Sequence, residues 1–341
     1  MKSNYRYIVK AFMAMAVIAG TTSCDDFLDR EPMSSISPET YYSTAAQLEA
    51  NLNDEYPNVL PSFGQWTYGI FGEDKGTDNQ IEVNANDRYT QDRWKVPHSE
   101  SDNWKFERIY RINFFLSEAL PKFGEDMSGS QNTISGSVAT IKHYIGEMYF
   151  LRAYEYFKKL QLFGDFPIIN QPLADEMEAL REASKRFPRN EVARFIISDL
   201  DKAYAYMSDV DMATTRINKD AAMLVKSRVA LFEATWLQNF KGTAFVPGGE
   251  GWPGASLHNN YQYPSGNIDN EVKYFLEQAV EASKLVADKY KGSLTENTGV
   301  LQQSADDPSN PYFDMFAQED LSDVKEVLLW RQYARGLSTH N

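Results

Sequence analysis

The segment EMYFLRAYEYFKKLQLFGDFPII, at 147–169, constrains the fold of this chain more than any other. Its apolar residues fall on several faces of a helix instead of forming one stripe. A helix that is apolar most of the way round is buried between other elements. Gly164 ends this pattern, and Pro167 prevents its continuation. The segment therefore predicts a central helix over about 140–163, with other helices packed on both sides of it.

Two charged residues, Glu147 and Arg152, stand inside this apolar segment. They lie five positions apart, so they cannot pair with each other across one helical turn. Buried charges need partners or hydrogen bonds, and neighbouring helices can supply both. We therefore interpret Glu147 and Arg152 as structural residues and not as catalytic ones.

Other parts of the chain carry apolar residues three and four positions apart, which is typical of amphipathic helices. This spacing predicts helices over about 45–56, 101–120, 190–207, 219–236 and 269–290. Thr44 and Gln47 form a capping box in sequence before the first of these, and Asn218 suits the N-cap of the fourth. Pro57 and Pro121 are predicted to end the first two helices.

Strand patterns are missing from the sequence, since no region alternates apolar and polar residues over a sustained length. We therefore predict an all-α fold. Paired helices joined by turns favour a tetratricopeptide-like helical-repeat scaffold, although the literal 34-residue consensus is absent.

The N-terminus has the composition of a secretory signal peptide. Residues 1–10 carry three cations and no acid, and the apolar run at 11–20 is too short to span a bilayer as a mature helix. Cys24, the only cysteine, follows and resembles the lipobox cysteine of bacterial lipoproteins, which is diacylated and becomes the new N-terminus. We expect 1–23 to be removed, 24–40 to form a tether, and 41–341 to form the helical domain.

Charge and localisation follow from the same region. Removal of 1–23 takes the formal net charge from −14 to −17, because that segment holds three cations and no acid. Such an acidic body argues against nucleic acid as a partner. Asp25, Asp26 and Asp29 resemble signals that send lipoproteins to the outer face of the outer membrane, so we expect a lipid-anchored protein facing the cell exterior.

Two long segments, at 58–99 and 241–267, interrupt the helical pattern and are rich in glycine and aromatic residues. Loops carried by a rigid helical frame are where binding residues concentrate. A sugar ring stacks its apolar C–H face on flat aromatic side chains, and polar side chains bond its hydroxyls. The candidate ligand-binding residues are Trp66, Tyr68, Asp78, Asn79, Tyr89, Arg93 and Trp94 in the first segment, and Trp252, Asn260, Tyr261 and Tyr263 in the second. The same aromatics also suit packing over their own loops.

Catalytic and metal-binding patterns are absent from the sequence. The four histidines show no HExxH or other ligand spacing, and neither a GxGxxG nor a P-loop pattern occurs. Glu73, Asp74 and Asp78 form the nearest carboxylate cluster, but their adjacency in a Gly-rich segment does not define the separation that glycoside hydrolysis needs. We therefore predict a binding protein that has no cofactor and no metal, and not an enzyme.

Several blocks of this sequence, in this order, are similar to those of the SusD/RagB family of outer-membrane nutrient-binding lipoproteins. They are CDDFLDREP at 24–32, TYYSTAAQLEANLN at 40–53, Trp104 with Tyr110, Ile112 and Asn113, the segment at 147–169, Arg189 with Val192, Ile196, Leu200 and Ala203, RINKDAAMLVKSRVALFEA at 216–234, and Tyr312 with Phe316, Glu326 and Val327. The resemblance runs from Cys24 to about Tyr333.

The resemblance implies an α-helical, tetratricopeptide-like scaffold with long loops. It also implies a protein that binds oligosaccharide and delivers it to a SusC-type TonB-dependent transporter in the outer membrane. Family members continue well past the length of this chain, so the resemblance further implies that the C-terminal part of the family fold is missing here. Two alternatives stay open: a RagB-like peptide-binding or purely transporter-docking subunit, and a secreted glycosidase.

Overall fold

The computed structural model describes residues 41–61, 80, 103–124, 126–207, 212–301, 304 and 306–332. These residues form helices α1 (Ala45–Val59), α2 (Glu107–Phe123), α3 (Val138–Phe163), α4 (Met177–Ala183), α5 (Arg189–Tyr206), α6 (Lys219–Asn239), α7 (Ile268–Tyr290) and α8 (Pro311–Phe316), with a 3₁₀ turn at Pro253–Ser256. The described residues contain no strand, and isolated bridges join Thr44 to Ser135 and Phe166 to Phe187.

Helix α3 lies at the centre of the molecule and packs against α1, α2, α5 and α6. Its buried side chains point to several faces and include Ile141, Ile145, Met148, Leu151, Tyr156 and Leu160. Ser137 caps its N-terminus by accepting a hydrogen bond from the Thr140 amide. The central helix predicted from the all-round apolar pattern is confirmed.

The later helices pack in chain order. Helix α5 lies against α3, α6 against α5, and α7 against α6. Apart from the short helix α4, each of these helices thus packs on the long helix that precedes it, which is the principle of a helical-repeat scaffold. The predicted all-α, tetratricopeptide-like fold is confirmed.

The structure contains the hydrogen bonds of two predicted helix N-caps. The Gln47 amide donates to Thr44 Oγ1 at 3.3 Å, and the Thr44 amide donates to Gln47 Oε1 at 3.0 Å, which completes the capping box before α1. Asn218 Oδ1 accepts from the Ala221 amide at 3.0 Å at the start of α6.

The prediction that Pro57 and Pro121 end their helices was wrong. Both lie inside the last turn, in α1 and α2. Proline removes only its own N–H, so residues beyond it can still bond to carbonyls behind it. The Leu60 amide donates to the Tyr56 carbonyl at 3.0 Å, and the Gly124 amide donates to the Leu120 carbonyl at 2.9 Å.

The predicted start of the second helix near residue 101 was also wrong, because α2 begins at Glu107. The aromatic side chains before it serve tertiary packing instead. Trp104 packs edge-on against Phe166, with ring centroids 4.9 Å apart, and Phe106 stacks on Phe166 at 5.2 Å. These contacts join the approach to α2 with the chain beyond the C-terminal end of α3.

Arg152 has its partners on other elements. Its guanidinium donates two hydrogen bonds to Asp199 of α5, at 2.6 and 2.8 Å, and a third to Asn113 of α2 at 2.9 Å. These bonds compensate the loss of water around the buried charge.

Glu147 is likewise bonded across elements. It accepts from Arg216 at 2.9 and 2.6 Å and from the Tyr56 hydroxyl of α1 at 2.8 Å. The structural interpretation of Glu147 and Arg152 is confirmed, since each charge bridges α3 to neighbouring segments.

The predicted signal peptide, Cys24 and the tether lie outside the described residues. Within the described part of the chain, no helix has the length and apolar character needed to cross a bilayer.

Candidate ligand-binding site

Of the candidate binding residues, those of the first aromatic segment lie outside the described residues. They are Trp66, Tyr68, Asp78, Asn79, Tyr89, Arg93 and Trp94. The second segment, 241–267, is described in full and lies beside the C-terminal end of α3.

A glycine ends helix α3, and an isolated β-bridge follows it. Gly164 caps the helix with φ 66°, a conformation that favours glycine. Phe166 then exchanges two backbone hydrogen bonds with Phe187, at 3.1 and 3.0 Å. This bridge places the chain before α5 next to the end of α3.

Asp165 joins three segments at this point. Its Oδ2 accepts from Trp252 Nε1 at 2.7 Å, and its Oδ1 accepts from the Arg189 amide at 2.9 Å. Burial raises the pKa of the Asp165 carboxyl above its ordinary value, and these hydrogen bonds oppose that rise. The side chain thereby links the end of α3, the start of α5 and the 241–267 segment.

Trp252 packs mostly inside the protein, with 5% of its surface exposed. Its ring stacks on His258, with centroids 5.8 Å apart, and a Cβ at Gly254 would lie 2.2 Å from the ring, so only glycine fits there. His258 Nε2 lies 2.8 Å from the Arg186 carbonyl oxygen and forms a hydrogen bond with it. The remaining edge of Trp252 lines a cavity.

Tyr261 and Tyr263 form one cluster behind Trp252. The Tyr261 ring centroid lies 5.6 Å from that of Trp252 and 5.2 Å from that of Tyr263. Their hydroxyls donate to Asn190 Oδ1 at 3.0 Å and to the Pro247 carbonyl at 2.6 Å. Burial raises the pKa of both hydroxyls.

Asn260 is exposed and has φ 54°, a left-handed conformation that asparagine tolerates better than most residues. The structure thus brings three of the four described candidates together, but only Trp252 lines the cavity. A ligand-binding role for each of the four stays a prediction.

The cavity has a volume of about 480 Å³ and lies between the end of α3 and the 241–267 segment. That volume is in the range of small-molecule sites, about 300–1,000 Å³. Its lining includes Gln161, Leu162, Phe163, Asp165, Arg186, Arg189, Trp236, Phe245, Trp252 and Leu257.

The cavity is edged by large apolar side chains that remain open to solvent. Leu162, Phe245 and Leu257 are exposed to 59%, 61% and 54%. Trp236 lies beside them, and its Nε1 donates to the Phe245 carbonyl at 3.0 Å, which holds the Phe245 backbone in place. A group of exposed apolar side chains around a cavity is typical of a binding surface.

Two arginines supply charge to the lining. Arg189 is buried and forms a bidentate pair with Glu233, with its Nη2 2.9 Å from Oε2. The guanidinium of Arg186 lies 4.6 Å from the centroid of the Trp104 ring. Among the described residues, no side chain accepts a hydrogen bond from Arg186 or forms an ion pair with it.

A larger cavity, of about 860 Å³, lies between the C-terminal end of α1, the middle of α3, the start of α6 and residues 326–332. Several of its polar side chains already bond within the protein. Asn53 accepts from Arg216, Tyr56 donates to Glu147, and Glu326 accepts from the Thr295 amide. The smaller cavity is the better candidate ligand site, because it combines apolar faces with a cation, Arg186, that has no ion-pair partner among the described residues.

Most of the residues that line the smaller cavity were not predicted from the sequence as ligand-binding residues. Phe245 and Leu257 lie in the same segment as Trp252 and were within its reach. Arg186 and Leu162 show no local pattern that marks them, since long-range packing brings them together. Within the described part of the chain, no group of three or more His, Cys, Asp or Glu side chains could hold a metal ion.

Comparison with known proteins identifies related sequences. A family model described as SusD-like, starch-binding and associating with the outer membrane matches residues 26–231. Two curated relatives, the SusD-like proteins P25 and P2 of Formosa agariphila, are each 25% identical, over 233 and 253 residues. The alignments cover 63% and 71% of this chain and 41% and 46% of the relatives, so the chain spans less than half of their length.

Among solved structures, SusD-like proteins are also similar to this chain. A SusD-like protein from Bacteroides fragilis is 21% identical, with a TM-score of 0.43, over 62% of this chain and 40% of the solved one.

Proposed function

Since this chain belongs to the SusD-like family of starch-binding proteins associated with the outer membrane, we propose that it binds oligosaccharide at the cell surface and delivers it to a SusC-type TonB-dependent transporter. In this role the protein binds its ligand without changing it chemically. It is anchored through lipid on Cys24 and faces the cell exterior.

The observation that carries this proposal is the cavity beside the end of α3. Its exposed Phe245, Leu162 and Leu257 offer apolar faces for the C–H side of a pyranose. Arg186 and Gln161 line the same cavity and can bond sugar hydroxyls. A preformed apolar surface with a few polar anchors binds a sugar without any catalytic group.

The 241–267 segment is held rigidly enough to present such a surface. Trp252 is tied to Asp165, and Tyr263 is tied to the Pro247 carbonyl. Preorganised loops lose less conformational entropy when a ligand binds, and affinity rises accordingly. The first aromatic segment, which holds Trp66 and Trp94, is proposed to add further stacking faces.

Isothermal titration tests the binding step. The mature chain with Cys24→Ser is titrated with neutral malto-, xylo- and β-gluco-oligosaccharides, and with short peptides. We expect binding of at least one oligosaccharide and an affinity about five- to tenfold lower with Phe245→Ala, since stacking on an aromatic ring contributes roughly 1–1.5 kcal/mol.

Leu285→Ala provides the matched control, because Leu285 is also an exposed apolar residue but lies on α7, away from the cavity lining. The Leu285→Ala variant should bind the oligosaccharide with the same affinity as the unmodified chain. Binding of peptides alone would favour a RagB-like role, and release of shortened sugars would show a glycosidase.

The delivery step has its own measurement. The lipidated protein, extracted in mild detergent with an affinity tag, should retain a large outer-membrane barrel protein through purification. Recovery without any barrel partner would contradict the proposed docking to a transporter.

A further inference from the structure

We propose that the cavity beside α3 selects an acidic sugar, and that Arg186 bonds the carboxylate of a uronosyl residue within the bound oligosaccharide. The inference rests on the proposed function, since it names the class of glycan for that same site. It is carried by the fixed position of Arg186, by the absence of a partner for its charge among the described residues, and by the remaining surfaces of the cavity.

Arg186 is held in place from both sides of its backbone. Its carbonyl bonds to His258 Nε2 at 2.8 Å, and the next residue, Phe187, is paired with Phe166. The guanidinium lies over the face of Trp104, 4.6 Å from the ring centroid. Stacking on an aromatic face leaves the N–H groups at the guanidinium edge directed outward, where a planar carboxylate can accept two of them.

The charged side chains next to Arg186 already have partners within the protein. Lys185 pairs with Glu182 at 2.6 Å, and Arg189 pairs with Glu233 at 2.9 Å. Both oxygens of Asp165 accept hydrogen bonds from Trp252 and Arg189. In the part of the chain that the structure describes, Arg186 is therefore the cavity cation that keeps all its donors for a ligand.

The segment around Arg186 is locally basic although the whole chain is acidic. Positions 183–190 hold Lys185, Arg186 and Arg189 and no carboxylate, in a chain whose formal net charge is −14. Charges more than about 8 Å away are largely screened at physiological salt. Because Lys185 and Arg189 pair with Glu182 and Glu233, Arg186 is the cation of this segment that, among the described residues, remains to attract an anionic group.

Other features of the cavity favour a sugar over a small inorganic anion. Gln161 and Leu162 lie in the last turn of α3, and no backbone N–H of the described residues donates to their carbonyls. Such carbonyls can accept hydrogen bonds from hydroxyl groups, which a sugar ring carries at several positions. Phe245 and Leu257 add apolar contacts for the C–H face of the ring.

Titration with matched pairs of oligosaccharides tests this inference. Tetrameric oligogalacturonate, oligomannuronate and oligoguluronate are each compared with their carboxyl-reduced, neutral counterparts at the same length. We expect at least one acidic form to bind tenfold or more tightly than its neutral counterpart. The preference should shrink as salt is raised, because the charge-assisted contact is partly screened.

Arg186→Gln should remove the preference for the acidic form while the melting temperature stays near that of the unmodified chain. Arg186→Lys should restore part of the preference, since it returns the charge without the planar, bidentate geometry. Arg228→Gln is the matched control, because Arg228 is also exposed and cationic but lies on α6 outside the cavity lining. It should keep the full preference.

The outcomes separate this inference from the proposed function. Binding of neutral sugars that Arg186→Gln leaves unchanged would overturn the inference and leave glycan binding intact. Tighter binding of sulfated oligosaccharides than of uronates, or of acidic peptides alone, would also overturn it. If no glycan binds at all, both proposals fail.

Discussion

Arg152 shows how this protein accommodates a charge in its core. The side chain is buried, and it meets a bidentate carboxylate, Asp199, that is buried as well. Loss of one partner leaves the other charged and without compensation, which typically costs about 3–5 kcal/mol. We expect Arg152→Leu to lower the free energy of unfolding by about that amount in urea denaturation, and to lower it before it alters ligand preference.

The double variant Arg152→Leu with Asp199→Leu tests the cause. It should be less destabilised than the sum of the two single variants, since neither charge is then left alone. A strictly additive result would mean that packing, and not the ion pair, accounts for the loss.

Glu271 makes the stability of the fold depend on pH, and the direction of that dependence follows from its pKa. Burial alone would raise the pKa of its carboxyl, but hydrogen bonds from Arg194, Asn190 and Ser265 outweigh that effect and lower the pKa below its ordinary value. The folded state therefore binds this proton more weakly than the unfolded state. The resulting stability is fully present above the ordinary pKa and is lost as the pH falls through the lowered one.

Glu271→Gln should accordingly reduce the slope of stability against pH between about pH 5 and 3, as measured by urea denaturation across that range. Glu281→Gln, at an exposed position on the same helix, is the control and should leave the slope unchanged. Equal slopes for Glu271→Gln and the unmodified chain would contradict the assignment.

At the scale of elements, the approach of α3 to α5 depends on Gly146. A Cβ at this position would lie 2.8 Å from the backbone nitrogen of Met207 and 2.9 Å from the Ala203 carbonyl oxygen. Alanine favours a helix over glycine by about 1 kcal/mol. Overpacking against backbone atoms costs about 1–3 kcal/mol. We expect Gly146→Ala to lower the melting temperature in spite of its better helix propensity.

Gly292→Ala is the matched control for that measurement. No heavy atom lies within 4 Å of a Cβ built there, so its melting temperature should stay close to that of the unmodified chain. A melting temperature raised by Gly146→Ala would show that α3 and α5 can separate at little cost.

For the whole molecule, we predict that a lipid on Cys24 determines where the protein resides. Cys24 lies outside the described residues, and its acylation is a prediction from the signal sequence. Cys24→Ser should abolish incorporation of labelled palmitate and move the protein from the membrane fraction to the soluble fraction, because a buried acyl chain contributes about 0.8 kcal/mol per CH₂. A Cys24→Ser protein that stays membrane-bound after high-salt washing would argue for another anchor.

The sequence by itself determined the features that depend on near neighbours. Helix periodicity, the capping box at Thr44 and the cap at Asn218 involve residues three or four positions apart, so their pattern is visible locally. The all-round apolar character of α3 even indicated that it is central, because such a helix has no face suited to solvent. The need of Glu147 and Arg152 for partners followed from the same burial, but the partners themselves did not.

Only the tertiary structure decided the cavity and its charge. Trp252 and Asp165 are bonded although 87 positions separate them in sequence. Arg186 faces the ring of Trp104 because the Phe166–Phe187 bridge turns the chain back along the end of α3. Contacts of this kind arise from the packing of distant segments, and no local spacing encodes them. For that reason the sequence pointed to the 241–267 segment, while the structure showed that Trp252 anchors it and that Arg186 and Phe245 face the cavity.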